Sequence, residues 1–199
     1  MLLQPDHGRW QRRPVRASVA PALIPWLTDP ASLTARIRAR CRQFEVRLLR
    51  QGLGPALPDE AGVFGLRVGA LLWVREVLLI ADGEAVVFAR SLLPRQHVRG
   101  AWNLFHGFGA QPLGAALFVD PAIARGALSC VRLDRRDARY HRAGRALRQH
   151  APAAALGLAL WGRRSLFFRH RRSLMVSEFF LPAISGLPAR PLNSRLSSL

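Results

Sequence analysis

The chain has 199 residues, half of them hydrophobic, which suits one domain with a sizeable core and excludes a disordered polypeptide. Its formal charge is +18, yet it contains no lysine: all 30 of its Lys-or-Arg residues are arginines. That skew follows GC-rich codon usage rather than selection for phosphate contacts, so the charge does not by itself define a nucleic-acid binder, although the positive field draws in small anions.

The N-terminal stretch carries Arg9, Arg12, Arg13 and Arg16. The apolar run that follows is interrupted by Pro21 and Pro25 and has no small-residue cleavage site, so it is not read as an export signal. Residues 1–23 are expected to form a flexible basic tail. The longest apolar run, residues 151–161, contains a proline and a glycine. It is far short of the roughly 20 residues a spanning helix needs. A cytoplasmic protein with no stable membrane insertion is expected, and Cys41 and Cys130 read as buried free thiols.

A helix is expected from Asp29, which can cap free backbone N–H groups, with Pro30 at its first position, ending before Phe44. A strand over residues 43–50 should follow, broken by Gly52 and Gly54. Residues 71–80 and 85–93 read as a hairpin around Asp82-Gly83, the strongest short turn signal, stopped by Pro94. Residues 113–118 and 121–130 read as helices, and residues 131–150 as a solvated arginine-rich segment. A second hairpin is expected over residues 165–169 and 174–181, stopped by Pro182. Hairpins separated by helical segments predict an α+β fold around an antiparallel sheet. One domain over residues 24–187 is expected, with a C-terminal tail over 188–199.

Two charges fall in awkward places. On a strand, side chains alternate between faces. Arg75 shares a face with Trp73, Val77 and Leu79, while Glu76 shares the other with Leu72, Val74 and Leu78. Glu178 lies among Leu174, Val176 and Phe180. A buried charge is costly unless paired. These charges either pair with one another or mark a pocket with a cation at one end and a carboxylate at the other.

The run Trp73-Val-Arg-Glu-Val-Leu-Leu-Ile-Ala-Asp-Gly-Glu84 resembles the central hairpin of the chorismate pyruvate-lyase family. Pro112-Leu113-Gly114 with Leu117-Phe118, Leu160-Trp-Gly-Arg-Arg-Ser165 and Ser177-Glu-Phe-Phe-Leu-Pro182 are similar to its later motifs. Trp26-Leu27 and Leu49-Arg50-Gln51-Gly52 are similar near the start, and the motifs keep the family's order over roughly residues 24–184. The resemblance implies a six-stranded antiparallel sheet with flanking helices. It implies a cofactor-free lyase that converts chorismate to 4-hydroxybenzoate and pyruvate, with a product that can feed ubiquinone synthesis.

Carried over by position, Arg75 would grip the ring carboxylate and Glu178 would lie near the ring hydroxyl. Leu113 and Leu48 would contribute backbone N–H groups. Arg75 and Glu178 are the catalytic candidates. Arg90, Arg163 and Arg164 are candidates for the second substrate carboxylate, set against ordinary surface solvation. Residues of about 128–155 look like a surface insertion relative to the family. The helix expected from Pro30 to about Arg42 and the stretch Gly107-Phe-Gly109 are candidate lids over a tightly held product.

The histidines show no metal-ligand spacing and read as surface residues, so no metal or cofactor is expected. A monomer without a specific nucleic-acid partner is expected. The competing reading is a non-catalytic module of the same fold that senses a small aromatic acid.

Overall fold

The computed structural model describes residues 10–14, 18–98, 100, 102 and 113–191. In chain order its elements are α1 (Ile24–Thr28), α2 (Leu33–Arg38), β1 (Phe44–Pro55), α3 (Pro58–Val63), β2 (Leu71–Ala81), β3 (Glu84–Pro94) and α4 (Arg95–Val98). Then come α5 (Leu113–Val119), β4 (Ala124–Arg125), β5 (Ser129–Leu133), α6 (Ala138–His150), β6 (Leu160–Arg169) and β7 (Arg172–Phe180). Among the described residues no helix is long and apolar enough to cross a membrane.

All strand pairs are antiparallel, and the sheet runs β1-β2-β3-β7-β6, with β4 and β5 both pairing along the outer edge of β6. This is the expected α+β architecture. Among the described residues six strands have five or more residues, and the two-residue β4 is a seventh.

Both hairpins turn in the same way. Asp82 and Gly83 have φ of 48° and 85°, and His170 and Arg171 have φ of 47° and 60°. Paired positive φ values match the twist of the flanking strands. Asp82 also accepts hydrogen bonds from the backbone N–H groups of Arg42 and Gln43, which fixes the entry to β1.

The sheet is covered on both faces, so β2 and β3 read as nearly continuous apolar runs. One face packs α1, α2 and α5 against Val77, Leu79, Val87, Ala89 and Phe167. The other packs α3 and α6 against Val74, Leu78, Phe88 and Phe179.

Several expectations are corrected. The helix after Pro30 is shorter: it starts at Leu33, capped by the Ser32 hydroxyl, while Asp29 accepts from the Ala31 N–H in a turn before it. Strand β1 continues through Gly52 and Gly54, because both still pair with β2 after a register shift between Leu48 and Arg50. Residues 121–130 hold β4 and the start of β5 instead of a helix.

The stretch expected to be a solvated surface insertion is core structure. Val131 and Leu133 of β5, with Tyr140, Ala143, Ala146 and Leu147 of α6, bury against β2 and β3. Asp137 caps α6, and apolar residues recur three and four apart along it, so its arginines occupy the remaining surface.

Part of the expected flexible tail also docks. Gln11 exchanges backbone hydrogen bonds of 2.8 and 2.7 Å with Cys130 of β5. Val19 is buried. Both cysteines are free and buried, and burial pushes their thiols up.

Candidate active site

The alternation of β2 sends Arg75 and Glu76 to opposite faces, and both are buried, with exposures of 2% and 6%. Arg75 lines a cavity on the face covered by α2 and α5. Glu178 of β7 lines the same cavity. The cavity encloses about 550 Å³ of atom-free space, counting its mouth. Its walls are mainly apolar: Val46, Val77, Leu79, Val176 and Phe167 from the sheet, Leu33 from α2, and Leu117 from α5.

Strand register fixes the relative places of the polar groups. Arg75, Ser91, Val176 and Ser165 form one row across β2, β3, β7 and β6. Val77, Ala89, Glu178 and Arg163 form the next row on the same face. Strands lie about 4.8 Å apart, so Arg75 and Ser165 are separated by about 14 Å at the backbone, with Glu178 between them and one row along. The floor beneath is made of small residues, Ala89 and Ser91.

Each charge has its own electrostatic setting. Burial holds the Arg75 guanidinium down to about 10. Such a cation gains from an incoming anion, because the anion replaces the solvation the guanidinium has lost. Glu178 accepts a 2.6 Å hydrogen bond from Arg163 Nε. Arg163 is 1% exposed, and its Nη1 also donates to the carbonyls of Trp26 and Asp29. Glu178 therefore pairs with Arg163, and Glu76 pairs with Arg90 at 2.6 Å and with Arg142 at 3.3 Å.

Leu113 lines the cavity at the first position of α5, where a helix leaves backbone N–H groups without internal partners. Leu48 is placed differently. Its side chain is 38% exposed, and it is not among the residues that line the cavity. Its backbone lies at the register shift of β1.

The three arginines considered for a second carboxylate are all removed from ordinary solvation. Arg90 is 1% exposed and is clasped by Glu60 and Glu76 on the opposite face. Arg164 also points to that face, where it pairs with Asp59 and stacks on the Trp10 ring at 4.1 Å. Arg163 supports Glu178 from behind.

The cavity's remaining cation was not singled out from the sequence: Arg125 of β4. One signal marked it, since Arg125 is the single charge between Asp120 and Arg132. Of the candidate lids, α2 borders the cavity, and residues 107–109 lie outside the described residues. His97, expected at the surface, is buried, with its ring Nδ1 3.1 Å from the Ser173 carbonyl. Trp102 is buried and donates to the Arg172 carbonyl.

Fold and site together define a protein with a mainly apolar, cation-bearing cavity suited to a small carboxylate anion. The chain belongs to the chorismate lyase family, whose model matches residues 4–186. It is 59% identical to the probable chorismate pyruvate-lyase of Aromatoleum aromaticum over 188 residues, covering 94% of this chain and 100% of that protein. It is also 59% identical to the probable chorismate pyruvate-lyase of an Azoarcus species, over 92% of this chain and 95% of that one. Among solved structures it is similar to the effector domain of PhnF from Mycobacterium smegmatis, at 19% identity and a TM-score of 0.49, covering 76% of this chain and 89% of that one.

Proposed function

We infer that the cavity between the sheet and helices α2 and α5 is where this protein, a carbon–oxygen lyase, cleaves chorismate to 4-hydroxybenzoate and pyruvate. The observation that carries the reading is that Arg75 and Glu178, far apart in the chain, line one apolar cavity from adjacent rows of the sheet.

Chorismate is a cyclohexadiene with a ring carboxylate at C1, an enolpyruvyl ether at C3 and a hydroxyl at C4. The reaction breaks the C4–H and C3–O bonds. The C–H electrons become ring π electrons, the C3–O pair leaves with the enolpyruvate, and the enol takes up a proton to become pyruvate. Electrons balance within the substrate, so no oxidant is consumed. What the protein must supply is one bound conformer, a proton acceptor and stabilisation of the departing charge.

Arg75 holds the ring carboxylate through the paired donors of its guanidinium, joined by the backbone N–H of Leu113. Val77, Leu79, Val176 and Phe167 flank the ring. Glu178 meets the C4 end: Oε2 is held by Arg163, and Oε1 is the oxygen assigned to the substrate, first for the hydroxyl and then for the C4 proton. Leu48 contributes only its backbone N–H, at the register shift of β1. The protein works in the cytoplasm as a monomer, and its product enters ubiquinone synthesis, the route implied by the family.

The test is to incubate the purified protein with chorismate and follow both products by chromatography, beside Arg75→Ala and Glu178→Ala. Equimolar 4-hydroxybenzoate and pyruvate from the wild type, lost in both variants, supports the assignment. A folded wild type that makes neither product overturns it. Glu178→Gln separates contact from proton transfer: kcat should fall about 100-fold or more, and unchanged turnover would remove the proton from the role of Glu178.

A further inference from the structure

We propose that Arg125 forms the subsite for the second carboxylate of chorismate, the one on the enolpyruvyl group, and so distinguishes substrate from product. The proposal rests on the reading of the cavity given above.

Arg125 differs from Arg90, Arg139, Arg163 and Arg164 in its company. Its Nε donates to Ser165 Oγ at 2.9 Å, and its Nη1 donates to the carbonyls of Pro30 and Ala31. Its guanidinium carbon lies 5.1 Å from the ring centroid of Phe118 and 5.4 Å from that of Phe167. Every one of these partners is neutral. Among the described residues no carboxylate lies within ion-pair distance of Arg125, whereas Arg90, Arg139, Arg163 and Arg164 each have one. A half-buried cation held in one orientation by neutral groups gains most from an anion that arrives with the ligand.

Position supports the same partner. Arg125 reaches Ser165, the far end of the row that begins at Arg75, and Glu178 lies between them in the adjoining row. The substrate presents three polar groups: a ring carboxylate, a ring hydroxyl and an ether-borne carboxylate. The cavity presents two cations and one carboxylate, in the order Arg75, Glu178, Arg125. The Glu178 carboxylate is ion-paired with Arg163; acting on Arg125 from a distance, together with Asp29, it only partly offsets the burial that holds the Arg125 guanidinium down. One further donor at this corner, Arg163 Nη2, is buried with no hydrogen-bond partner among the described residues.

The product 4-hydroxybenzoate keeps the ring carboxylate and the hydroxyl and loses the second carboxylate. It can satisfy Arg75 and Glu178 but leaves Arg125 without an anion. The site therefore favours the dianion over the monoanion through this one residue. The competing role for Arg125 is a brace that ties the chain before α2 to β6.

The experiment measures chorismate turnover and direct 4-hydroxybenzoate binding for the wild type, Arg125→Gln and Arg125→Lys. Arg125→Gln should raise KM for chorismate about 10- to 100-fold and change the 4-hydroxybenzoate Kd less than about threefold, with Arg125→Lys in between. Equal losses of both would assign Arg125 to bracing, and no loss of either would also overturn the proposal. A wild-type measurement needs no variant. 3-(Carboxymethoxy)-4-hydroxybenzoate, a stable dianion, should bind about tenfold or more tighter than 4-hydroxybenzoate, and equal or weaker binding counts against the subsite. Failure of the lyase reading itself shows separately, as a wild type that releases no pyruvate.

Discussion

On one face of the sheet Arg75 lines a cavity; one residue along the same strand, on the other face, Glu76 is locked between Arg90 and Arg142. The sealed face continues as a network. Arg90 spans Glu60 and Glu76, Arg139 holds Asp137 and Asp59, and Arg164 and the Trp10 indole also reach Asp59. There, among the described residues, the charges answer one another. On the cavity face Arg75 and Arg125 are set at opposite ends of a hollow whose carboxylate is paired with a third arginine. Burial of charge is common to both faces, so burial alone does not mark the site. The distinction is that the cavity face arranges its charges around a space and the sealed face does not.

The contrast breaks most severely at Arg90. Arg90→Ala leaves Glu60 and Glu76 buried without their cation and should cost about 3–5 kcal/mol of stability, read as a lower midpoint in denaturant unfolding. Arg75→Ala should show the reverse profile. Its kcat/KM should fall about 100- to 1000-fold, while its unfolding midpoint moves much less than that of Arg90→Ala. If Arg75→Ala instead unfolds as readily as Arg90→Ala, the two faces do not differ as described.

A smaller effect tests packing on the sealed face. A Cβ at Gly162 would lie 2.4 Å from the Phe179 ring and 3.1 Å from the Glu178 carbonyl. Gly162→Ala should therefore cost about 1–3 kcal/mol in the same unfolding experiment. The smallest effect comes from pH. Benzoate, charged throughout the range above neutrality, should bind with constant affinity until the Arg75 guanidinium of the ligand-free protein loses its proton near pH 10. Above that point its affinity should fall about tenfold per pH unit. Arg164 is also held down to about 10, by burial, but on the sealed face. A substitution of Arg164 should therefore leave the benzoate profile unchanged.

Much of this was legible in the sequence. The hairpin around Asp82-Gly83 is marked by its turn residues, and strict alternation alone assigns Arg75 and Glu76 to opposite faces. What alternation could not show is which face holds the space, because that depends on the register of β3, β7 and β6 and on α2 and α5 above them. The segment around α6 was misread for a physical reason. Arg139, Arg142, Arg145 and Arg148 dominate its composition, yet Tyr140, Ala143, Ala146 and Leu147 carry a helical period, and Asp137 supplies the cap. Small apolar residues between long cationic ones conceal a packing face. Arg125 went unnoticed because residues 121–130 read as a helix, which hid its position opposite Phe167 on β4.

The pairing of Gln11 with Cys130 gives the N-terminal arm a protective task. It occupies backbone groups on the outer side of β5, which would otherwise offer them to any extended strand that came by. Trp10, hydrogen-bonded to Asp59 and stacked on Arg164, pins the arm beside that pairing. A chain trimmed past Pro14 would lose this clasp, and its bare strand edge would become a place for copies of the protein to stick together.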